Sequence, residues 1–128
     1  MTPAGLSLDR IGQISIVVTD VERATAFYRD VLGMKFLFQF PGMAFFDCGG
    51  VRLYLAREES SEPIGTSVLY YKVESIQAAC EELKARGVRF LQEPHVIHRD
   101  ERHELWLAAF KDSEGNLAEL MSEVPLQG

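Results

Sequence analysis

The fold is decided by residues 11–36, IGQISIVVTDVERATAFYRDVLGMKF. Ile11–Val18 is β-branched and apolar, the composition of a buried strand. Thr19 with Glu22 three residues later reads as a capping box that opens a helix. Ala24, Phe27, Tyr28, Val31 and Leu32 then recur at helical spacing on one face. Gly33 supplies the left-handed residue that ends the helix. Three short strands follow near Lys35–Phe40, Met43–Asp47 and Val51–Ala56, with turns at Gly42 and Gly49-Gly50.

The same plan starts again after a polar stretch, about residues 58–65, that reads as a linker. Ser67–Val73 is a strand, and Ser75 is placed to cap a helix. Ile76, Ala79, Cys80 and Leu83 form that helix's apolar face, and Gly87 ends it. Strands follow near Val88–Leu91, His95–His98, His103–Phe110 and Leu117–Ser122. Leu32-Gly33-Met34-Lys35-Phe36 aligns with Arg86-Gly87-Val88-Arg89-Phe90, and Asp47…Gly50 aligns with Asp112…Gly115. The spacing grows between the two matches, which places an insertion in the second copy within about residues 91–105. The expectation is one α+β domain made of two βαβββ modules, about residues 9–57 and 66–123, forming a curved mixed sheet around a cleft.

Composition narrows the functional classes. The 128 residues carry a formal net charge of −6, which disfavours a nucleic-acid partner. No apolar window approaches a membrane span and no signal peptide is visible, so a cytoplasmic location is the expectation. Cys48 and Cys80 form no CxxC pair, and Cys80 reads as a buried thiol.

The cleft residues follow from strand alternation. Leu53 and Leu55 alternate with Arg52 and Tyr54, and Ala118 and Leu120 alternate with Leu117, Glu119 and Met121. One set goes under the helices and the set with Arg52, Tyr54, Glu119 and Met121 goes to the free face. If Phe110 pairs with Leu117, Trp106 and Phe110 stand beside Glu119; by the repeat, Phe45 stands beside Arg52 and Tyr54. Tyr70 joins these aromatics as a ligand-stacking candidate. Such a pocket suits a small molecule. Glu119, surrounded by Trp106, Phe110 and Met121, is the candidate general acid or base, and Gln13 the group that orients a substrate carbonyl. Arg52 suits a substrate carboxylate, or a structural ion pair. His95, His98 and His103 lie around the inserted hairpin without a recognised metal spacing.

The segments Gln13–Asp20, Ala24–Tyr28 and Leu32-Gly33-Met34, with Asp112–Asn116 followed by Ala118-Glu119-Leu120, resemble the vicinal oxygen chelate superfamily. That superfamily includes glyoxalase I, methylmalonyl-CoA epimerase, extradiol dioxygenases and bleomycin-binding proteins. The resemblance implies paired modules around a divalent metal, with ligand positions at Gln13, Tyr54, Val68 and Glu119. Only Gln13 and Glu119 are ready donors; Val68 could only line the pocket. It implies either a lyase, isomerase or dioxygenase-type enzyme, the first two acting on a carbonyl-bearing substrate, or a protein that sequesters an aromatic or cationic compound. It also implies a homodimer.

Overall fold

The computed structural model describes residues 6, 9, 11–57 and 67–126; the expected linker at 58–65 lies outside them. The order is β1 (Gln13–Val18), α1 (Val21–Ala26), β2 (Lys35–Phe40), β3 (Met43–Cys48), β4 (Val51–Arg57), β5 (Leu69–Lys72), α2 (Ile76–Ala85), β6 (Phe90–Arg99), β7 (His103–Lys111) and β8 (Leu117–Pro125). A π-helical turn, Phe27–Val31, extends α1. The strands form two four-stranded sheets, ordered β1-β4-β3-β2 and β5-β8-β7-β6. β1 and β5, each at one edge of its sheet, run parallel to their neighbours, and the other pairs are antiparallel. The duplication in the sequence is thus a duplication of topology. The inserted residues lengthen one hairpin: β6 and β7 have 10 and 9 residues where β2 and β3 have 6 each. Phe90 and Leu91 of the expected strand Val88–Leu91, and all of His95–His98, belong to the single strand β6, whose register shifts absorb the irregularity; Val88 and Arg89 precede it.

Each helix covers one face of its sheet. Under α1 lie Ala44, Phe46, Leu53 and Leu55, none more than 1% exposed. Under α2 lie Ala108, Phe110, Ala118 and Leu120, packed with Ile76 and Val88. Ser75 caps α2 through its hydroxyl, which accepts from the Ala78 amide at 3.2 Å. Gly33 and Gly87 end the two helical segments at φ +69° and +93°, conformations that cost a side chain its steric freedom.

The start of α1 departs from the sequence expectation. Asp20, not Thr19, is the cap, accepting from the Arg23 amide at 3.0 Å. The Thr19 amide that Glu22 was expected to satisfy bonds instead to Glu114, 95 residues away. A carboxylate from the second module has displaced the local capping group.

The helix-bearing faces of the modules pack on each other. The π turn rotates consecutive residues inward, so Phe27 meets both cores and Tyr28 is 1% exposed. The Tyr28 hydroxyl donates to Asp112 Oδ2 across the modules at 2.7 Å. Burial, followed by the neighbouring Tyr71 and the Asp112 charge, pushes the Tyr28 phenol well above its usual range, so it remains a donor. Arg86 of the α2 end donates to the Val31 carbonyl at 2.8 Å. Tyr28→Phe should therefore lower stability by about 1.5 kcal/mol in urea denaturation, the value of a buried bond to a charged acceptor.

Candidate functional site

The faces turned away from the helices carry the candidate residues. On the first sheet Gln13 lies opposite Arg52 and Ser15 opposite Tyr54. Phe45 lies opposite Tyr54 on the other side, and Phe38 opposite Phe45. The rings form a ladder. Phe38 and Phe45 are 4.7 Å apart between centroids, and Phe45 and Tyr54 are 4.9 Å apart, both tilted. Phe40 closes on Phe38 at 5.4 Å. The Arg52 guanidinium sits 5.9 Å above the Phe45 centroid, within cation–π range. Phe38 and Phe40 are 40% and 54% exposed, so the ladder ends in an open apolar edge.

Sequence alternation alone missed Phe38 and Phe40. In a regular strand Phe36, Phe38 and Phe40 would share one face. The register shift between Phe36 and Phe38 separates them. Phe36 goes under α1 against Phe46, and Phe38 goes to the open face. Three phenylalanines in six residues are the signal that could have found them.

On the second sheet Tyr70 lies opposite Glu119 on β5 and Ala109 opposite Glu119 on β7. Leu107 and Met121 are the next pair on this face. The neighbouring Glu119 charge, ahead of burial, raises the Tyr70 phenol above its usual value. Val68 precedes β5 and is 37% exposed.

Trp106 and Phe110 require correction. Lys111, not Phe110, pairs with Leu117; Phe110 pairs with Ala118 and Trp106 with Ser122. That one-residue slip moves both aromatics to the helix side. Phe110 is 0% exposed, and Trp106 packs against the same core while its Nε1 donates to Glu104 at 3.3 Å. Neither stands beside Glu119, so the aromatic surroundings expected for that carboxylate lie across the sheet. Among the described residues neither Glu119 nor Arg52 takes part in an ion pair.

The three histidines are exposed. His98 approaches Asp100 at 4.0 Å. Asp100 accepts from the Arg102 and His103 amides at 2.8 and 2.7 Å, and these bonds hold its carboxyl below the usual range. This cluster is a well-tied turn. His103 pairs with Pro125, on the face opposite to that of Trp106.

The residues do not fit a divalent metal. Of the four positions, Val68 has no donor and the Tyr54 ring is stacked on Phe45. Among the described residues no group of three or more His, Cys, Asp or Glu is placed to hold a metal. Two oxygen donors would leave most of a hard ion's shell unfilled.

Gln13, Ser15, Arg52 and Tyr70 are all exposed. The open hollow of about 470 Å³ beside Gln13 and Arg52 is walled by Lys35, Leu37 and Asp47 of the first sheet alone. No helix among the described residues is long and apolar enough to cross a membrane.

Comparison with known proteins agrees with this architecture. The sequence model of the glyoxalase/bleomycin resistance protein/dioxygenase superfamily matches residues 10–120. The chain is 28% identical over 130 residues to the mitochondrial methylmalonyl-CoA epimerase of Mus musculus, spanning 88% of this chain and 72% of the mouse protein. It is 29% identical over 126 residues to the uncharacterized protein YraH of Bacillus subtilis, spanning 84% and 94%. Among solved structures, a glyoxalase/bleomycin resistance protein/dioxygenase from Nocardioides is 25% identical with a TM-score of 0.72, spanning 93% and 86% of the two chains. A lactoylglutathione lyase from Agrobacterium tumefaciens is 22% identical with a TM-score of 0.69, spanning 89% and 93%, a likeness of fold.

Proposed function

Because this chain belongs to the glyoxalase/bleomycin resistance protein/dioxygenase superfamily, we propose that it binds a small planar molecule bearing a carboxylate or carbonyl oxygen, without a catalytic metal, in a cleft that two copies complete. The ladder of Phe38, Phe45 and Tyr54 with Arg52 above Phe45 carries this reading. The rings offer a stacking surface, and the guanidinium and the Gln13 amide offer donors to an oxygen at its end. An Arg at that position favours an anionic ligand over the cationic one that the net charge suggests.

The second copy would bring the other half. Arg52, Lys35 and Asp47 stand on the first open face, and Lys72, Lys111, Glu119 and Glu123 on the second, where Lys72 pairs with Glu123 at 3.8 Å. A two-fold axis that brings the first face of one copy onto the second face of the other would give two equal clefts. Both cysteines are free thiols, in keeping with the cytoplasm.

A panel of aromatic carboxylates and α-keto acids, titrated by calorimetry, tests the reading. Phe45→Ala should weaken the best ligand at least tenfold, the value of about 1.4 kcal/mol of lost stacking. Arg52→Gln should remove the preference for a carboxylate over the matching amide. Light scattering should report a dimer. A monomer that binds none of the panel would end the proposal.

The pairing of Tyr70 with Glu119 across β5 and β8 favours a second reading, a lyase or isomerase in which Glu119 moves a proton next to the substrate carbonyl. NMR separates the two. Exchange of a ligand's α-proton with solvent deuterium, lost in Glu119→Gln while binding persists, identifies an enzyme. Binding without exchange identifies a sequestering protein.

A further inference from the structure

Between the two sheets lies a cavity of about 310 Å³. It exists because β1 and β5 are both outer strands and do not pair with each other. Its walls include Ile14 and Ile16 of β1, Leu69 of β5 and Ala118 of β8, with the Tyr28 and Tyr71 rings beside them.

Some polar groups of the lining are already satisfied and others are left over, and the lining also includes Gln13, Ser15 and Ser67. Asn116 lines the cavity and donates to the Val17 carbonyl at 3.1 Å and to Asp112 at 3.0 Å. The Tyr28 hydroxyl is held by Asp112. The half-buried Tyr71 makes no side-chain hydrogen bond among the described residues. Burial raises its phenol well above the ordinary value, so it is a donor. Just before β1 the Gly12 carbonyl accepts from the Arg52 amide of β4, whereas the Val17 carbonyl of β1 points to the seam. Strand alternation therefore turns the peptide groups of Gln13 and Ser15 to the seam as well.

We propose that the seam cavity is a binding site for a small aromatic molecule of one or two fused rings carrying a single hydroxyl or carbonyl oxygen. The apolar walls hold the ring; Tyr71 and the outward peptide groups of Gln13 and Ser15 hold the oxygen. A dry cavity of about 150 Å³ accepts benzene, so roughly twice that volume suits a bicyclic ring. The ligand sits between the sheets and not on the ring ladder, although Gln13 borders both sites.

The test titrates 2-naphthol and naphthalene against the full chain by calorimetry. Saturable binding of both is expected. Tyr71→Phe should weaken 2-naphthol about tenfold and leave naphthalene unchanged, the signature of one lost hydrogen bond. Ala118→Leu should fill the cavity and abolish both. Nuclear Overhauser contacts from bound 2-naphthol to the methyls of Ile14, Ile16 and Leu69 locate the ligand in the wild-type chain, whatever the fate of the variants. Absence of saturable binding, or contacts to Phe38 and Phe45 instead, would overturn the proposal.

Discussion

Phe110→Ala should cost about 4 kcal/mol of folding stability, the range for a large aromatic deleted from a closed core. Phe110 is 0% exposed, packs on Phe90 at 5.5 Å between centroids, and belongs to the cluster of Ile76, Val88, Ala108, Ala118 and Leu120. A domain of this size has about 5–15 kcal/mol in total, so the variant should sit near its unfolding threshold. The midpoint of thermal unfolding should fall by more than about 10 °C. Leu107→Ala is the control. Leu107 is half-buried on the open face, opposite Met121. It should cost about 1 kcal/mol and act chiefly on ligand affinity. The reverse pattern, with Phe110→Ala stable but binding-deficient, would place Phe110 in the cleft and refute the observed register.

That contrast shows where the sequence is informative. Helix faces were legible because their apolar residues recur among charged ones, as Ile76, Ala79, Cys80 and Leu83 do among Glu81, Glu82 and Lys84. The duplication was legible because glycines and turn residues repeat in order. The face of β7 was not legible. Residues 105–110 read LWLAAF, apolar at every position, so alternation gives no direction and only the hairpin fixes it. The Asp112 amide bonds the Asn116 carbonyl at 2.9 Å, closing a five-residue turn that leaves Lys111 opposite Leu117. One more residue in that turn would have produced the other face. The ring ladder was half legible for a related reason: a bulge at residue 37 is invisible to a period of two.

The capping of α1 failed differently, because its true partner is remote in the chain, and Glu114→Gln follows from it. The Glu114 side chain is 1% exposed. It accepts from the Thr19 and Asp20 amides at 3.0 and 2.8 Å, from Arg23 Nε at 2.7 Å and from Ser113 at 3.0 Å. The bond from Arg23 is the largest influence, and with those from Asp20, Ser113 and Thr19 it outweighs burial and holds the carboxyl down to about 2 from 4.5. A carboxylate so depressed would contribute roughly 3 kcal/mol at neutral pH. Arg23 is 56% exposed, and solvent screening reduces the expected loss in Glu114→Gln to about 2 kcal/mol. The sign with pH is fixed. The contribution is complete above the unfolded carboxyl's pKa near 4.5, declines as pH falls below it, and is gone below about 2. The difference between wild type and Glu114→Gln in urea denaturation should therefore be constant from pH 7 to 5.5 and shrink by roughly half at pH 3. Glu22→Gln, at the position the local capping box would use, should change stability by less than about 0.5 kcal/mol throughout, as an exposed substitution does. A larger loss in Glu22→Gln than in Glu114→Gln would return the helix start to local control and remove the clasp that ties the second module's turn to the first module's helix.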